Sequence, residues 1–290
     1  MKDKYSDPWK IYADRYETLY WKPCKPSDDD KKIFHKFVEQ ALKRSEDKSA
    51  ASEKERKRAL VLGATPAIRD VLSQSDVDVT LLYINNEMVH AMNKLITHKK
   101  KETIISGNWL DMPFPDNYFD IVIDDLALGN IDEKNEQEFL GEISRVLKPS
   151  GCWIFRIFFV PDGFVKLLQE QILKQFEIRD DTYNRDCELF IHFVYNVFDI
   201  KKKISDTSLV KKSLTKYWKD GAYHYPDKKV EQWMNDMYKM WSPFEKMWRV
   251  SVKKELYSWV SKKFKIIKEE PATDYIWGHS FPVLMCRPKK

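Results

Sequence analysis

Two aspartates at the end of an apolar run are the first candidates for chemistry. Asp124 and Asp125 close the run FDIVIDD, whose apolar residues predict a buried strand. Paired carboxylates at the carboxyl end of a strand can orient a substrate amine or hydroxyl, or accept its proton. A structural interpretation stays open beside this one, in which Asp125 caps the next turn.

A histidine in an aromatic loop is the second candidate for acid–base work. His224 lies in AYHYP, and imidazole is the side chain that changes charge near neutral pH. We therefore consider His224 as a general base, against the alternative of a surface or hydrogen-bonding residue. Tyr195, Tyr223 and Tyr225 lie in the same part of the chain and are expected to line a pocket for a small acceptor.

Metal chemistry has no support in the sequence. The six histidines are dispersed without the spacing of a metal-binding motif, and we predict no metal site. The four cysteines stand far apart with no CxxC pair, which argues against a disulfide framework and predicts reduced packing residues: Cys24, Cys152, Cys187 and Cys286.

Predicted strands and helices alternate from residue 59 onward, and they must position the candidate site residues. Five apolar runs predict strands: ALVLG, VDVTLLYI, ETIIS, FDIVID and GCWIFRIFFV. Helical patterns over residues 66–74, 86–97 and 132–147 separate them. Continuous apolar strands alternating with helices predict a doubly wound α/β core with a parallel sheet. In such a sheet ligands bind beyond the carboxyl ends of the strands, so the loops there are the place for a site.

Four motifs in these loops carry a family resemblance. VLGATP, LLYINNEMVHAM, GNWLDMPFPDNYFDIVIDD and EISRVLKPSGCWIFRIF follow one another along residues 59–160. In this order and spacing they resemble the class I S-adenosylmethionine-dependent methyltransferases, and within them a small-molecule methyltransferase-like group with LGxTP in the first loop. The resemblance implies a Rossmann-like methyltransferase fold, S-adenosyl-L-methionine as cofactor, and methyl transfer.

The resemblance also assigns the first cofactor loop. The family usually has GxGxG there, and the aligned positions are Gly63, Thr65 and Ala67, so one glycine of three remains. The resemblance assigns Gly63, Ala64 and Thr65 of this loop to the cofactor. The ribose position at the end of the second strand is normally Asp or Glu. Here it is Tyr83, followed by Ile84 and Asn85, and a phenol makes one hydrogen bond where a carboxylate makes two.

The same resemblance assigns residues to the adenine ring and to the transferable methyl group of the cofactor. Asn108 takes the place of the acidic residue that reads the adenine amino group, with Trp109 beside it as a stacking surface, and Asp111 is the alternative for that acidic position. Asp124 lies where the transferable methyl group would be held, so the resemblance places it among both cofactor-binding and catalytic residues.

The remaining segments complete a three-part organisation. Residues 1–58 predict a helical N-terminal extension or lid, in which Ser27 caps a helix. Residues 161–243 predict an inserted helical cap that binds substrate. Residues 244–290 return to the core with a helix from Phe244 to Lys263 and two strands. These strands match the antiparallel hairpin that closes a seven-stranded, mostly parallel methyltransferase sheet.

Composition limits the partners. No apolar run approaches the ~20 residues of a membrane span, so we expect a cytoplasmic protein without a membrane partner. The leading hypothesis is O- or N-methylation of a small molecule by in-line displacement, in a monomer or homodimer. A methyltransferase-fold binding protein without activity is the first alternative, because glycines and the acidic ribose residue are missing. RNA or tRNA methylation is the second, because the C-terminal part is rich in lysine and aromatic residues.

Overall fold

The computed structural model of the chain describes residues 24–46, 56–84, 86–161, 163–178, 194–199, 201–206, 215–241 and 247–289. No helix in these ranges is long and apolar enough to cross a membrane.

The central sheet has seven strands. They are β1 (Lys57–Leu62), β2 (Val77–Tyr83), β3 (Glu102–Ser106), β4 (Phe119–Asp125), β5 (Leu147–Arg156), β11 (Phe264–Glu270) and β12 (Val283–Pro288). The order across the sheet is β11-β12-β5-β4-β1-β2-β3. β1 to β5 run parallel, whereas β12 pairs antiparallel with both β5 and β11. The predicted seven-stranded, mostly parallel α/β sheet with a closing hairpin is confirmed.

Helices cover both faces of the sheet. One face carries α1 (Asp28–Glu46), α2 (Pro66–Ser73) and α3 (Asn86–Met92), whose apolar residues pack on those of β1, β2 and β4. The other carries α4 (Glu136–Val146) and α7 (Lys253–Val260) around the buried Trp153 and Phe139. Burial on both faces explains why these strands read as continuous apolar runs.

Helix α1 begins at a capping box. The Asp30 backbone N–H donates to Ser27 Oγ at 3.0 Å, and the Ser27 N–H donates to Asp30 Oδ2 at 2.8 Å. The two side chains satisfy two otherwise unpaired donors reciprocally. Ser27 is therefore the N-cap that the sequence predicted.

The insertion after β5 contains helices and short strands. Its helices are α5 (Gln169–Ile178) and α6 (Lys228–Trp241). Between them lie β6 (Phe198–Asp199), β7 (Ile204–Asp206) and the hairpin of β8 (Trp218–Lys219) with β9 (Ala222–Tyr223). The sequence analysis anticipated the helices but not the strands.

The predicted helix from Phe244 to Lys263 is wrong in its first half. Residues 247–249 form β10 (Met247–Arg249), which pairs antiparallel with β7, and α7 begins only at Lys253. The Val250 N–H donates to the Lys203 carbonyl oxygen at 3.0 Å, which extends this pairing. Strand partners distant in sequence thus override the local helical pattern.

Candidate functional site

The carboxyl ends of β4, β1, β2 and β3 are neighbours at one edge of the sheet. The loop after each strand therefore faces the same region, as expected for a doubly wound sheet. Gly63, Tyr83, Asn108 and Asp125 all come at or just after these strand ends.

The turn after β1 depends on a glycine conformation. Gly63 has φ +111°, a region that L side chains rarely adopt, and its N–H donates to the Leu82 carbonyl oxygen at 3.2 Å. Ala64 is buried, while Thr65 is partly exposed and precedes α2, which has Pro66 in its first turn. The first turn of α2 has no acidic residue, and the Thr65 side chain does not cap it. The positive end of this helix is thus compatible with an anionic group.

The end of β2 presents a phenol and an exposed apolar side chain. Tyr83 is 7% exposed, and burial raises the pKa of its phenol well above the usual range, so the group stays neutral. Ile84 is 48% exposed, unusual for an isoleucine beside a buried strand. Asn85 lies outside the described residues.

The loop after β3 brings Trp109 against the Gly63 turn. The Trp109 indole N–H donates to the Leu82 carbonyl oxygen at 3.0 Å. A Cβ placed on Gly63 would lie 4.0 Å from Trp109 Cζ2. Asn108 is exposed, and its Oδ1 accepts the Leu110 N–H at 3.0 Å, which stabilises the turn. The remaining lone pair of that oxygen is free to accept another donor.

Asp124 is fully buried and both carboxyl oxygens are engaged. Oδ2 accepts the Trp153 indole N–H at 2.8 Å, and Oδ1 accepts the Ala127 N–H at 3.1 Å. Burial raises the pKa of Asp124 to about 7, against the lowering effect of these two hydrogen bonds. These contacts describe a structural carboxyl that stabilises the turn after β4.

Asp125 belongs to a buried ion network that the sequence analysis missed. Arg156 Nε donates to Asp125 Oδ1 at 2.7 Å, and Arg156 Nη1 donates to Asp30 Oδ2 at 2.8 Å. The Arg156 and Asp30 side chains are 0% exposed and that of Asp125 is 5% exposed. Burial raises the pKa of the Asp125 carboxyl, while the Arg156 guanidinium lowers it. The sequence signal for this network was Arg156, a charged residue at the end of the otherwise apolar run CWIFR.

The four candidates in the insertion lie in different environments. Tyr195 is fully buried and donates its hydroxyl to the Phe159 carbonyl oxygen at 2.8 Å. Tyr223 is also buried, and burial raises its pKa to about 12. Tyr225 is half-buried with its ring 4.9 Å from that of Tyr217. His224 is exposed, and its Nε2 lies 3.1 Å from the Lys219 carbonyl oxygen.

Tyr195 and Tyr223 are thus core residues of the insertion rather than open pocket walls, and they share one apolar cluster with Leu126, which follows β4. Cys24, Cys152 and Cys286 are buried packing residues, as predicted, and Cys187 lies outside the described residues. Among the residues that the structure describes, no group of His, Cys, Asp or Glu could hold a metal ion.

Part of the chain that forms the central sheet matches a known family. Residues 62–155 match the family model described as a methyltransferase domain. This stretch runs from the end of β1 to β5, and so contains every strand-end loop described above. The resemblance stated from the loop motifs is supported for this domain, and the finer LGxTP grouping stays a prediction.

Individual relatives support the fold more than the activity. An uncharacterized protein of Methanocaldococcus jannaschii is 30% identical over 139 residues, which is 44% of this chain and 56% of that protein. The CcbJ methyltransferase from Streptomyces caelestis has a similar structure, with 10% identity, a TM-score of 0.56, and coverage of 98% and 99% of the two chains.

A Rhodobacter sphaeroides structure described as putative Zn-dependent alcohol dehydrogenases is also similar, at 12% identity, a TM-score of 0.57 and full coverage of both chains. The descriptions of these two similar structures therefore state different activities, a dehydrogenase and a methyltransferase. Together these likenesses show a Rossmann-like methyltransferase fold.

Proposed function

We propose that the chain is an S-adenosylmethionine-dependent methyltransferase that acts on a small-molecule acceptor. The observation that carries this proposal is the meeting of Gly63, Tyr83 and Trp109 at one edge of a sheet whose sequence matches a methyltransferase domain. The family resemblance assigns these three positions to the cofactor, and the sheet order brings their loops together.

The chemistry of the edge fits the cofactor. Ile84 offers an exposed apolar surface and Trp109 a half-buried ring, which suit a purine. The first turn of α2, free of acidic side chains, suits the methionine carboxylate. Tyr83 offers one neutral hydroxyl to the ribose, fewer contacts than an acidic residue would make.

S-adenosylmethionine, when bound, supplies an activated methyl group on a sulfonium. The residues of this chain then have to bind the acceptor, align its lone pair with that methyl group and exclude water, and positioning alone supplies much of the rate enhancement. Asp124 has both oxygens in structural hydrogen bonds and Asp125 is paired with Arg156, so neither is proposed as the general base. We retain His224 as the candidate base because it is exposed.

Calorimetric titration of the full chain with S-adenosylmethionine and S-adenosylhomocysteine tests the proposal. We expect one site per chain for each ligand, weakened in Tyr83→Phe because the ribose loses its hydroxyl partner. The matched control is Tyr118→Phe, on the loop before β4, which we expect to bind as the natural chain does. Absence of binding in the natural chain would overturn the proposal.

The first alternative, a methyltransferase-fold binding protein without activity, has one observation in its favour. Trp109 lies against Gly63 at the edge that the cofactor would use. Tyr83→Asp separates the two hypotheses. If this variant creates S-adenosylhomocysteine binding that the natural chain lacks, the natural site is degenerate; if native binding is strong and unchanged, the site has compensated for the missing acid.

A further inference from the structure

A second candidate site lies on the α4 and α7 side of the sheet. It is a cavity of about 500 Å³, within the range of small-molecule sites. Leu126 and Leu128 line it after β4, and Ile157 and Phe158 line it after β5. The rest of the wall comes from residues between 129 and 136 up to the start of α4, from the residue before β7, from β10, and from residues 251–262 in and beside helix α7.

The cavity is separate from the edge proposed for the cofactor. Its lining includes no described residue of the β1–α2 turn, the end of β2 or the β3–β4 loop. Helix α7 and the β7–β10 pairing, which carry much of the wall, lie beyond the stretch that matches the methyltransferase domain. A ligand held here would thus meet residues specific to this chain's C-terminal part.

The carboxylates in the wall already have partners. Glu133 lies 3.1 Å from Lys203 Nζ, Glu136 pairs with Arg249, and Glu255 accepts the Ser251 hydroxyl at 2.9 Å. By contrast, Lys254 and Lys262 line the same cavity and form no ion pair with any residue that the structure describes. The lining thus has four basic side chains against three acidic ones, so its net charge is positive.

The buried end of the wall carries a hydrogen-bond donor without an acceptor among the described residues. The Arg249 guanidinium carbon lies 5.7 Å from the centre of the Trp259 ring, and its side chain is only 16% exposed. Burial lowers the pKa of Arg249, although the nearby Glu133 and Glu255 raise it. The indole N–H of Trp259 is buried and has no acceptor among the described residues. This indole N–H is thus open to an acceptor atom of a ligand, whereas the Arg249 guanidinium is already paired with Glu136.

Six apolar side chains also line the cavity, so a ligand that is only an ion would leave much of the cavity unfilled. We propose that this cavity binds a small organic anion, a carboxylate on an aromatic or branched aliphatic body. The carboxylate is placed toward Lys254 and Lys262, and the apolar body against the residues that follow β4 and β5. This site is additional to the cofactor edge and does not depend on methyl transfer.

Calorimetric titration at low ionic strength with three probes tests the inference. The probes are 3-phenylpropionate, the neutral 3-phenylpropan-1-ol and the cationic 3-phenylpropylamine, which share one aromatic body. We expect the carboxylate to bind at least about tenfold more tightly than the alcohol, and the amine to bind most weakly. The double variant Lys254→Gln/Lys262→Gln should lose about tenfold in carboxylate affinity.

The control double variant is Lys263→Gln/Lys265→Gln, which removes the same charge from exposed positions outside the lining. It should bind the carboxylate as the natural chain does. Excess S-adenosylhomocysteine, whose own binding is measured in parallel, should not displace the carboxylate. Equal affinity for the three probes, equal loss in both double variants, displacement by S-adenosylhomocysteine, or no carboxylate binding at millimolar concentration would each overturn the inference.

Discussion

The carbonyl oxygen of Leu82 accepts the indole N–H of Trp109 at 3.0 Å. The same oxygen accepts the backbone N–H of Gly63 at 3.2 Å, so one acceptor holds two loops of the candidate site. A carbonyl has two lone pairs and can satisfy both donors. The turn after β1 and the loop after β3 are consequently fixed to one point at the end of β2.

Trp109→Phe removes both ring contacts and the neutral hydrogen bond to the Leu82 carbonyl oxygen. We expect the loss of the hydrogen bond to lower the free energy of unfolding by about 1 kcal/mol, in addition to the loss from the ring contacts. Urea unfolding followed by far-ultraviolet circular dichroism measures this. Trp259→Phe is the matched control, since its buried indole N–H has no acceptor among the described residues. An equal or larger loss in the control would mean that the bond to Leu82 contributes nothing to stability.

Gly63→Ala should destabilise the chain by ~1–2 kcal/mol, because an L side chain is strained at φ +111°. It should also weaken S-adenosylhomocysteine binding by displacing the turn. Gly141→Ala is the comparison, since Gly141 lies in α4 with open space around an added Cβ; it should stabilise by ~0.5–1 kcal/mol. Thermal unfolding and calorimetry check both effects. A Gly63→Ala protein as stable as the natural chain would show that the turn tolerates an L residue.

Much of the sheet was predictable because its signals are local. The strand from Lys57 to Leu62 and the strand from Phe119 to Asp125 are apolar runs that only a doubly covered sheet buries. By contrast, Met247–Arg249 is a strand only because residues 204–206 lie beside it. Such pairing depends on a partner more than 40 residues away, which no local pattern encodes.

The sequence predicts where the candidate site residues lie along the strands, but not which side chains they contact. The resemblance directed attention to Asp124 and Asp125 at the end of β4, and they are there. Their engagement by Trp153 and Arg156 depends on the register of β5 against β4, and so on tertiary pairing. Likewise, the cavity wall joins residues from β10, α4 and α7 that are distant in sequence.

Arg156→Met should lower the free energy of unfolding by ~3–5 kcal/mol, because it leaves the buried Asp30 and Asp125 without their cation. Equilibrium urea unfolding provides the measurement. Lys36→Met is the control at an exposed ion pair with Glu270 and should cost less than about 1 kcal/mol. Similar losses in the two variants would contradict the assignment of Arg156 as the buried link between α1, β4 and β5.

Asp124 should make the protein less stable as the pH rises from about 4 to 7. Its pKa is about 7 in the folded chain against an ordinary value of 3.8, so the folded state binds more protons than the unfolded state in this range. Stability falls with pH wherever the folded state holds the extra proton, and the loss is complete above the folded pKa. Asp125, whose pKa is also raised, contributes in the same direction.

Asp124→Asn should therefore flatten this dependence, although the variant is less stable overall because its amide nitrogen cannot accept the N–H that one of the two carboxyl oxygens accepts in the natural chain. Urea unfolding at pH 5 and pH 8 gives the difference for each protein. Glu138→Gln, at an exposed position of α4, should leave the natural pH dependence unchanged. If Asp124→Asn retains the full difference between the two pH values, the buried carboxyl of Asp124 is not the group that titrates.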